Sequence, residues 1–275
     1  MEQALNALLR TAGYELRSIQ TLKPGKLFRD SAWKSALKGL IRKSGYEVRR
    51  PPYATDMQHE PVSPVANYSP WLTDASFKNA YYAIKSNTLV DHYRCYEIWQ
   101  LVGEAAKLAS GDLIEIGVWR GGSGALIAKR CQAEGLESTV FLCDTFTGVV
   151  KAGARDTQYN GGEHSDTSRQ VAEELAAGLG LKNVQILEGM FPEDTGHLIR
   201  DRTFRFCHID VDVYESAKDI IEWIWGRLVP GALVVYDDYG IQGCEGITRF
   251  VNSERAKPDR LVIHNLNGHA IVVKI

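Results

Sequence analysis

The chain has 275 residues and a formal net charge of −2 at pH 7, with 44% hydrophobic and 24% charged residues. This length and composition are typical of one large α/β domain, or of one domain with a smaller element. The near-neutral charge argues against a dedicated nucleic-acid-binding protein, which needs a basic surface for the phosphate backbone. No apolar run approaches the ~20 residues of a bilayer-spanning helix. The N-terminus shows no signal-peptide pattern, so we expect a cytoplasmic protein. The five cysteines form no C-x-x-C pair, which favours free buried thiols in a reducing compartment over disulfides or a zinc site.

The first 50 residues are basic and internally repetitive. They hold eleven Lys or Arg against four Asp or Glu, and the stretch 8–17 (LLRTAGYELR) is echoed at 40–49 (LIRKSGYEVR). This pattern predicts two short amphipathic helices that end near Gly13 and Gly45, because glycine is a common C-terminal signal of helices. The proline-containing stretch up to Pro70 is typical of a linker. We therefore predict a basic helical arm with a linker over residues 1–70, and a main domain over residues 71–275.

The main domain begins with a helical pattern and then alternates strands with helices. Apolar spacing predicts helix between residues 71 and 108, and short β-branched runs predict strands at 113–118, 139–143, 184–187, 204–209 and 232–236. Helical segments separate these runs, which is typical of a parallel sheet covered by helices on both faces. Two last strands, at 261–265 and 270–275, flank the hairpin signal Asn267-Gly268. The sequence therefore predicts an α/β fold whose sheet ends in an antiparallel hairpin.

The first strand of the main domain leads into a glycine-rich loop, Glu115-Ile-Gly-Val-Trp-Arg-Gly-Gly-Ser-Gly124, that opens a helix. Gly117 allows a sharp turn, whereas Trp119 stands where the dinucleotide fingerprint has its second glycine. Ligands of such sheets bind beyond the carboxyl ends of the strands. Glu115 is therefore a candidate partner for the cationic groups of S-adenosylmethionine, and Asp144 for the ribose hydroxyls. The turn at Glu188–Phe191 is placed to contact adenine.

Two neighbouring strands turn acidic at their carboxyl ends, in His208-Ile-Asp-Val-Asp-Val-Tyr214 and Val235-Tyr-Asp-Asp-Tyr239. Carboxylates gathered there repel one another, a penalty that a bound cation removes, and all-oxygen ligands favour a hard ion such as Mg²⁺. We assign Asp210, Asp237 and Asp238 as metal ligands and Asp212 as the general base for the acceptor hydroxyl. On an extended strand Asp212 would share a face with Asp210, but the backbone at a strand end is not predictable. The alternative is that the acids only cap helices and turns.

Taken together, these motifs resemble the macrocin O-methyltransferase (TylF-like) family from about Ser69 to the C-terminus. The resemblance rests on EIGVWRGG (115–122), DTFTG (144–148), HIDVDVY (208–214) and YDDY (236–239). It implies the class I methyltransferase (Rossmann-like) fold with a seven-stranded sheet, Mg²⁺ on the three assigned ligands, Asp212 as base, and a homodimer. The expected acceptor is a hydroxylated small molecule, with a sugar moiety as the methylated group. The candidate cofactor-binding residues are Glu115, Gly117, Gly121, Ser123, Asp144, Thr145, Gly189 and Asp210.

Two other functions stay open at this point. Asp210-Val-Asp212 is also a D-x-D of the kind with which glycosyltransferases hold a metal and a nucleotide sugar, and a non-catalytic S-adenosylmethionine-binding module would keep the same fold. Residues 149–167 are typical of a mobile lid, but they do not identify the acceptor. The echoed residues 1–50 match no part of the family pattern.

Overall fold

The structure is a computed structural model that describes residues 55–59, 62 and 65–275, together with the backbone of two strands at 15–18 and 46–49. The chain divides into two compact units, Met1–Tyr68 and Ser69–Ile275. This division lies close to the boundary predicted after residue 70, and the roles assigned to the two parts stay predictions. None of the helices among the described residues is long and apolar enough to cross a membrane.

The first unit contains two short strands that pair with each other. Strand β1 (Glu15–Ser18) runs antiparallel to strand β2 (Tyr46–Arg49), with Glu15 opposite Arg49 and Ser18 opposite Tyr46. Each strand includes the end of one of the two echoed stretches, so the internal repeat pairs with itself. The two helices predicted before Gly13 and Gly45 lie outside the described residues.

The second unit alternates helices and strands as the sequence predicts. Its elements are α1 (Ala75–Ile84), α2 (His92–Ala105), β3 (Asp112–Ile116), α3 (Gly122–Ala133), β4 (Val140–Asp144), α4 (Arg169–Gly178), β5 (Val184–Glu188), β6 (Phe204–Ile209), α5 (Tyr214–Ile224), β7 (Leu228–Tyr236), α6 (Glu245–Glu254), β8 (Arg260–His264) and β9 (Ala270–Lys274). The strands form one seven-stranded sheet in the order β5-β4-β3-β6-β7-β9-β8. Strand β9 runs antiparallel to both of its neighbours, and the other pairs are parallel. The sheet confirms the predicted fold class.

The sheet is buried on both faces because its strands carry apolar side chains on each side. One face packs Leu113 and Phe206 against helices α1 to α3, around the buried Trp99. The other face packs Ile114 and Cys207 against helices α5 and α6. All five cysteines are buried and free, as the sequence predicts. This packing fixes the carboxyl edge of the sheet, where the predicted site residues lie.

The predicted hairpin joins β8 and β9 through a longer turn than Asn267-Gly268 alone. Residues 265–269 lie between the two strands, with Leu266 and Gly268 at positive φ. The Asn265 side chain stabilises this turn, because its Oδ1 accepts the N–H groups of Asn267 at 2.8 Å and His269 at 3.1 Å. The turn thereby brings His269 back to the carboxyl edge of β7.

Candidate active site

The glycine-rich loop at residues 115–124, called the cofactor loop below, lies against the backbone of Asp210, one of the predicted metal ligands. Gly117 adopts φ +89°, and a Cβ at this position would lie 1.7 Å from the carbonyl oxygen of Asp210. The Asp210 N–H in turn donates to the carbonyl of Ile116 at 2.9 Å. Glycine is required at position 117 because the backbone of Asp210, directly after the neighbouring strand β6, leaves no room for a side chain. The turn after β3 and the acidic end of β6 are therefore fixed relative to each other.

Asp144, the predicted ribose partner, holds the cofactor loop in shape. Its Oδ2 accepts the backbone N–H groups of Val118 at 2.6 Å and Trp119 at 2.8 Å, and its Oδ1 accepts that of Phe146 at 2.6 Å. Gly121 precedes helix α3 at φ +85° and provides no side-chain cap, while the first N–H of the helix, from Gly122, donates to the carbonyl of Asn87 at 3.0 Å. The other predicted cofactor residues at this edge are Ser123 in the first turn of α3, Thr145 after β4 and Gly189 after β5. Their cofactor roles stay predictions.

The Glu115 carboxylate lies inside the protein and not at the surface of the loop. Its side chain is fully buried, and its Oε1 lies 2.8 Å from Nδ1 of His208, the neighbouring residue on β6. Its Oε2 faces Gly124, where a Cβ would lie only 2.6 Å away. The predicted contact of Glu115 with the cofactor stays a prediction. In the structure this carboxylate links the cofactor strand to the strand that carries the acidic site.

The three predicted metal ligands come together at the ends of β6 and β7. Ligand oxygens of Asp210, Asp237 and Asp238 lie within 4.8 Å of one another. Burial, together with repulsion from Asp237, Asp238 and Asp212, raises the pKa of Asp210 well above its usual range. An excess of negative charge at three oxygen ligands fits a hard divalent cation, which would stabilise the ionised form of Asp210.

Two cationic side chains that the sequence analysis missed also reach this cluster. Arg94 of helix α2 is 4% exposed, and its Nη1 lies 2.6 Å from Asp237 Oδ2 and 3.3 Å from Asp238 Oδ1. His269 Nε2 lies 2.8 Å from Asp237 Oδ1, in an electrostatic contact without hydrogen-bond geometry. Burial alone would raise the pKa of Asp237, but Arg94 and His269 hold it far below its usual range. Asp237 is thus ionised, whereas the raised pKa of Asp210 favours its protonated form as long as no cation is bound.

A second set of side chains near Asp237 contains two imidazoles. Ligand atoms of His208, Asp237 and His269 also lie within 4.8 Å of one another, all in buried residues. Burial lowers the pKa of His269, but Asp237 and Glu97 outweigh it and raise this pKa to about 8. In the metal-free protein the His269 ring therefore favours its protonated form, which offers no lone pair to a metal. The all-oxygen set is the better candidate metal site.

The predicted general base, Asp212, leaves the direction of β6 and lies beside one predicted metal ligand, Asp238. It adopts φ +64°, which ends the extended course of β6. Its ligand oxygen groups with Asp238 and Cys244 within 4.8 Å, and its carboxylate forms a side-chain hydrogen bond with Tyr159. Tyr159 is 7% exposed and packs against Val213 and Cys244. Burial and the charge of Asp212 raise the pKa of the Tyr159 hydroxyl, so it stays protonated and acts as a hydrogen-bond donor.

Tyr159 belongs to the long loop, residues 145–168, which is docked at both ends of the site. At the acidic end, Asp156 Oδ1 accepts the first N–H of helix α5, from Tyr214, at 3.0 Å. At the cofactor end, Trp119 Nε1 donates to Asp166 Oδ1 at 2.9 Å, and Arg120 Nη2 pairs with Asp166 Oδ2 at 2.7 Å. The predicted lid is therefore in contact with the cofactor loop and with the candidate base at once.

The sequence carries one signal for Arg94 that the analysis did not use. Arg94 lies on the same face of helix α2 as Ile98, Val102 and Ala105, and all four residues are buried. A charged residue within an apolar face needs a buried partner of opposite charge. His269 and Tyr159 have no such signal, because both lie in irregular segments that only the tertiary fold brings to the site.

Comparison with known proteins agrees with this geometry. A family model described as macrocin-O-methyltransferase (TylF) matches residues 83–265. An 8-demethyl-8-(2,3-dimethoxy-α-L-rhamnosyl)-tetracenomycin-C 4′-O-methyltransferase from Streptomyces olivaceus is 34% identical over 144 residues. That match covers 49% of this chain and 55% of the relative, so it spans only about half of the relative's length.

Two further similarities cover more of each chain. A mycinamicin III 3″-O-methyltransferase from Micromonospora griseorubida is 26% identical over 66% of this chain and 76% of its own length. The solved structure of the O-methyltransferase NovP superposes with a TM-score of 0.59 at 24% identity, over 68% of this chain and 81% of NovP. The latter similarity supports the fold alone. Because the family model spans well over half of the chain and includes the cofactor loop and both acidic strand ends, the chain belongs to the macrocin O-methyltransferase (TylF) family.

Proposed function

We propose that this protein is an S-adenosylmethionine-dependent O-methyltransferase that methylates a hydroxyl on the sugar of a glycosylated small molecule, with Mg²⁺ at Asp210, Asp237 and Asp238. The observation that carries the proposal is the backbone contact between Gly117 and Asp210. It places the cofactor loop directly beside the acidic cluster, so that a methyl donor and a metal-held hydroxyl would be neighbours. Two relatives named for O-methylation of a rhamnosyl-tetracenomycin and of mycinamicin III support a sugar as the acceptor.

The site residues divide the chemistry between binding and proton transfer. A bound Mg²⁺ would supply the positive charge that lowers the pKa of an acceptor hydroxyl. Asp212 takes the hydroxyl proton as the oxygen bonds to the methyl carbon and the carbon–sulfur bond breaks. The Tyr159 hydroxyl orients the Asp212 carboxylate, and the docked long loop excludes water from this side of the site. Much of the remaining rate gain comes from positioning the oxygen in line with the carbon–sulfur bond.

Family membership favours methyl transfer over glycosyl transfer from a nucleotide sugar. The cofactor is tested by calorimetric titration of S-adenosylhomocysteine into the purified protein, once with Mg²⁺ and once with a chelator. Clear binding supports the proposal. Absence of binding under both conditions, with binding of a nucleoside-diphosphate sugar, would overturn it.

The base and the acceptor class are tested by methyl transfer from labelled S-adenosylmethionine. Glycosides that carry a vicinal diol are compared with matched deoxy glycosides, which lack the second oxygen. For Asp212→Asn we expect a rate lower by roughly 10²–10⁴-fold with unchanged S-adenosylhomocysteine affinity, as for loss of a general base. Asp201→Asn is the matched control, because this side chain is 92% exposed and precedes β6, at the opposite end of that strand from the site. Equal activity of the Asp212→Asn variant and the control would refute the role of Asp212 as base.

A further inference from the structure

Arg94 is a cation that is built into the proposed metal site. Helix α2 places its guanidinium among the metal ligands, where Nη1 contacts one oxygen of Asp237 and one of Asp238. Its Nε pairs with Asp91 at 2.9 Å, and Asp91 also caps the helix by accepting the N–H groups of Tyr93 and Arg94. The helix cap thereby aims the guanidinium at the paired aspartates. With 4% exposure, water screens these contacts only weakly.

Helix α2 also contacts the acidic cluster indirectly, through Glu97 and His269. Glu97, one turn after Arg94, accepts from His269 Nδ1 at 2.5 Å and from the side chain of Asn265. His269 faces Asp237 with its other ring nitrogen. Helix α2 therefore holds both aspartates directly through Arg94, and Asp237 a second time through His269 of the hairpin turn. Of the two cationic side chains, Arg94 and His269, Arg94 is positively charged at every physiological pH and contacts two of the proposed metal ligands.

We propose that Arg94 is a resident counter-ion that keeps the paired aspartates together without a metal and, because of its positive charge, weakens the binding of the metal. This inference rests on the metal site proposed above. In the metal-free protein Arg94 offsets the repulsion between Asp237 and Asp238. When a divalent cation binds the same carboxylates, Arg94 repels it at close range in a poorly screened environment. The site therefore folds without metal and holds the metal less tightly than its three carboxylates would alone.

An arginine with a purely structural role should affect the stability of the fold but not the affinity for the metal. Arg260 is such a residue and serves as the comparison. Arg260, at the start of β8, is almost completely buried and pairs with Glu254 and Asp259. It stands opposite Lys274, the last residue of β9, at the sheet edge away from the acidic cluster. Loss of either arginine removes a cationic partner from at least one buried carboxylate, Asp237 or Glu254, and destabilises the fold. Only loss of Arg94 changes the affinity for the metal.

The test compares Arg94→Met, Arg94→Lys and the control Arg260→Met with the parent protein, each purified in Mg²⁺ and then exchanged into chelator. Electron paramagnetic resonance measures the affinity for Mn²⁺, because the signal of the free aqueous ion falls as the ion binds. Thermal unfolding with Mg²⁺ and with chelator measures how far the metal stabilises each variant. Neither readout needs the acceptor or the cofactor.

For Arg94→Met we expect Mn²⁺ binding to be tighter by about tenfold or more, since a like charge next to the ion is removed. A tenfold gain at saturation corresponds to about 1.4 kcal/mol. The Mg²⁺-induced rise in melting temperature should then exceed that of the parent by roughly 3–5 °C. Arg94→Lys keeps the charge and should bind Mn²⁺ within about threefold of the parent. Arg260→Met should melt lower by the same amount with and without Mg²⁺.

The outcomes separate this inference from the function on which it rests. Metal binding by the parent with equal or weaker binding by Arg94→Met would overturn the counter-ion role and leave the metal site intact. Tight binding by Arg94→Lys, matching that of Arg94→Met, would overturn it as well, because charge would not be the cause. Absence of Mn²⁺ binding in every variant, the parent included, would overturn both the metal site and this inference. If Arg94→Met does not fold, parent-like binding by Arg94→Lys supports the role of charge and markedly altered binding contradicts it.

Discussion

Substitution of Gly117 by alanine should damage the fold and the site together. The added Cβ would lie 1.7 Å from the Asp210 carbonyl oxygen and 2.6 Å from its carbonyl carbon, whereas ordinary contacts begin near 3.4 Å. The end of β6 must therefore move by well over an ångström. A left-handed backbone costs an alanine about 1–2 kcal/mol, and overpacking adds about 1–3 kcal/mol, so we expect a loss of roughly 2–5 kcal/mol. That is a large share of the ~5–15 kcal/mol by which a domain is stable.

Urea unfolding followed by tryptophan fluorescence measures this loss as a lower midpoint. Calorimetry of the folded variant should show weaker S-adenosylhomocysteine binding, because the displaced segment joins the cofactor loop to Asp210. The control is Gly178→Ala at the end of helix α4, where the added carbon would have no atom within 4 Å apart from its chain neighbours and the backbone of its own helix. This control should raise stability by about 0.5–1 kcal/mol through helix propensity. An unchanged midpoint for Gly117→Ala would refute the close contact between the two strand ends.

Three further substitutions or treatments test other contacts of the site. Tyr159→Phe removes the hydrogen bond to Asp212 and keeps the ring buried. The rate of methyl transfer should fall about five- to tenfold, which corresponds to the loss of about 1 kcal/mol for one hydrogen bond. The affinity for S-adenosylhomocysteine should not change. A parent-like rate would contradict the orienting role of Tyr159. Asp166→Ala removes the contacts to Trp119 and Arg120 and should make the long loop cleavable in limited proteolysis, with little change in global stability because the pair is exposed. Equal resistance to protease would mean that other contacts hold the loop. Burial raises the thiol pKa of Cys95, Cys143 and Cys207, so the thiolate fraction stays low and a thiol reagent at pH 8 should label the protein only after denaturation. Rapid labelling of the native protein would contradict this packing.

The sequence predicts the acidic cluster because the rule behind it depends only on strand order. Strands β6 and β7 are parallel neighbours, and Ile209 lies opposite Tyr236, so the residues that follow each strand meet at the same edge. The apolar runs identify both strands, and the acids stand directly after them. Asp210, Asp237 and Asp238 are therefore adjacent in the fold, as predicted. Their binding of a metal is a proposal that the position alone does not decide.

Strand lengths are predicted less well where a strand contains residues with low β-propensity. Strand β7 begins at Leu228, four residues before the predicted start, and includes Pro230 and Gly231. The register with β6 shifts in this region, from Phe204 opposite Leu228 to Phe206 opposite Leu233. A bulge of this kind accommodates a proline and a glycine that a regular central strand would exclude. Propensity alone therefore places the start of β7 too late.

The counter-charges of the cluster could not be predicted from the strand-end rule. Arg94 comes from a helix 143 residues before Asp237, and His269 from the hairpin turn. Neither position follows a strand of the parallel sheet. The strand-end rule identifies which acids gather, because they share one topological position. It does not identify the cations, because these reach the site from separate layers of the fold.

The different roles proposed for the two acids in Asp210-Val-Asp212 agree with the backbone conformation of Asp212. On a strand that stayed extended, both carboxylates would project from one face and both would compete for the same cation. The left-handed conformation of Asp212, at φ +64°, instead turns its carboxylate toward Tyr159, Cys244 and Asp238. Such a conformation costs a non-glycine residue about 1–3 kcal/mol and persists only where its surroundings hold it. Here the Tyr159 hydroxyl and the cap that Asp156 gives to helix α5 hold it, and both belong to the long loop. Docking of that loop therefore supports the proposal that one acid of the pair acts as the base while the other belongs to the metal site.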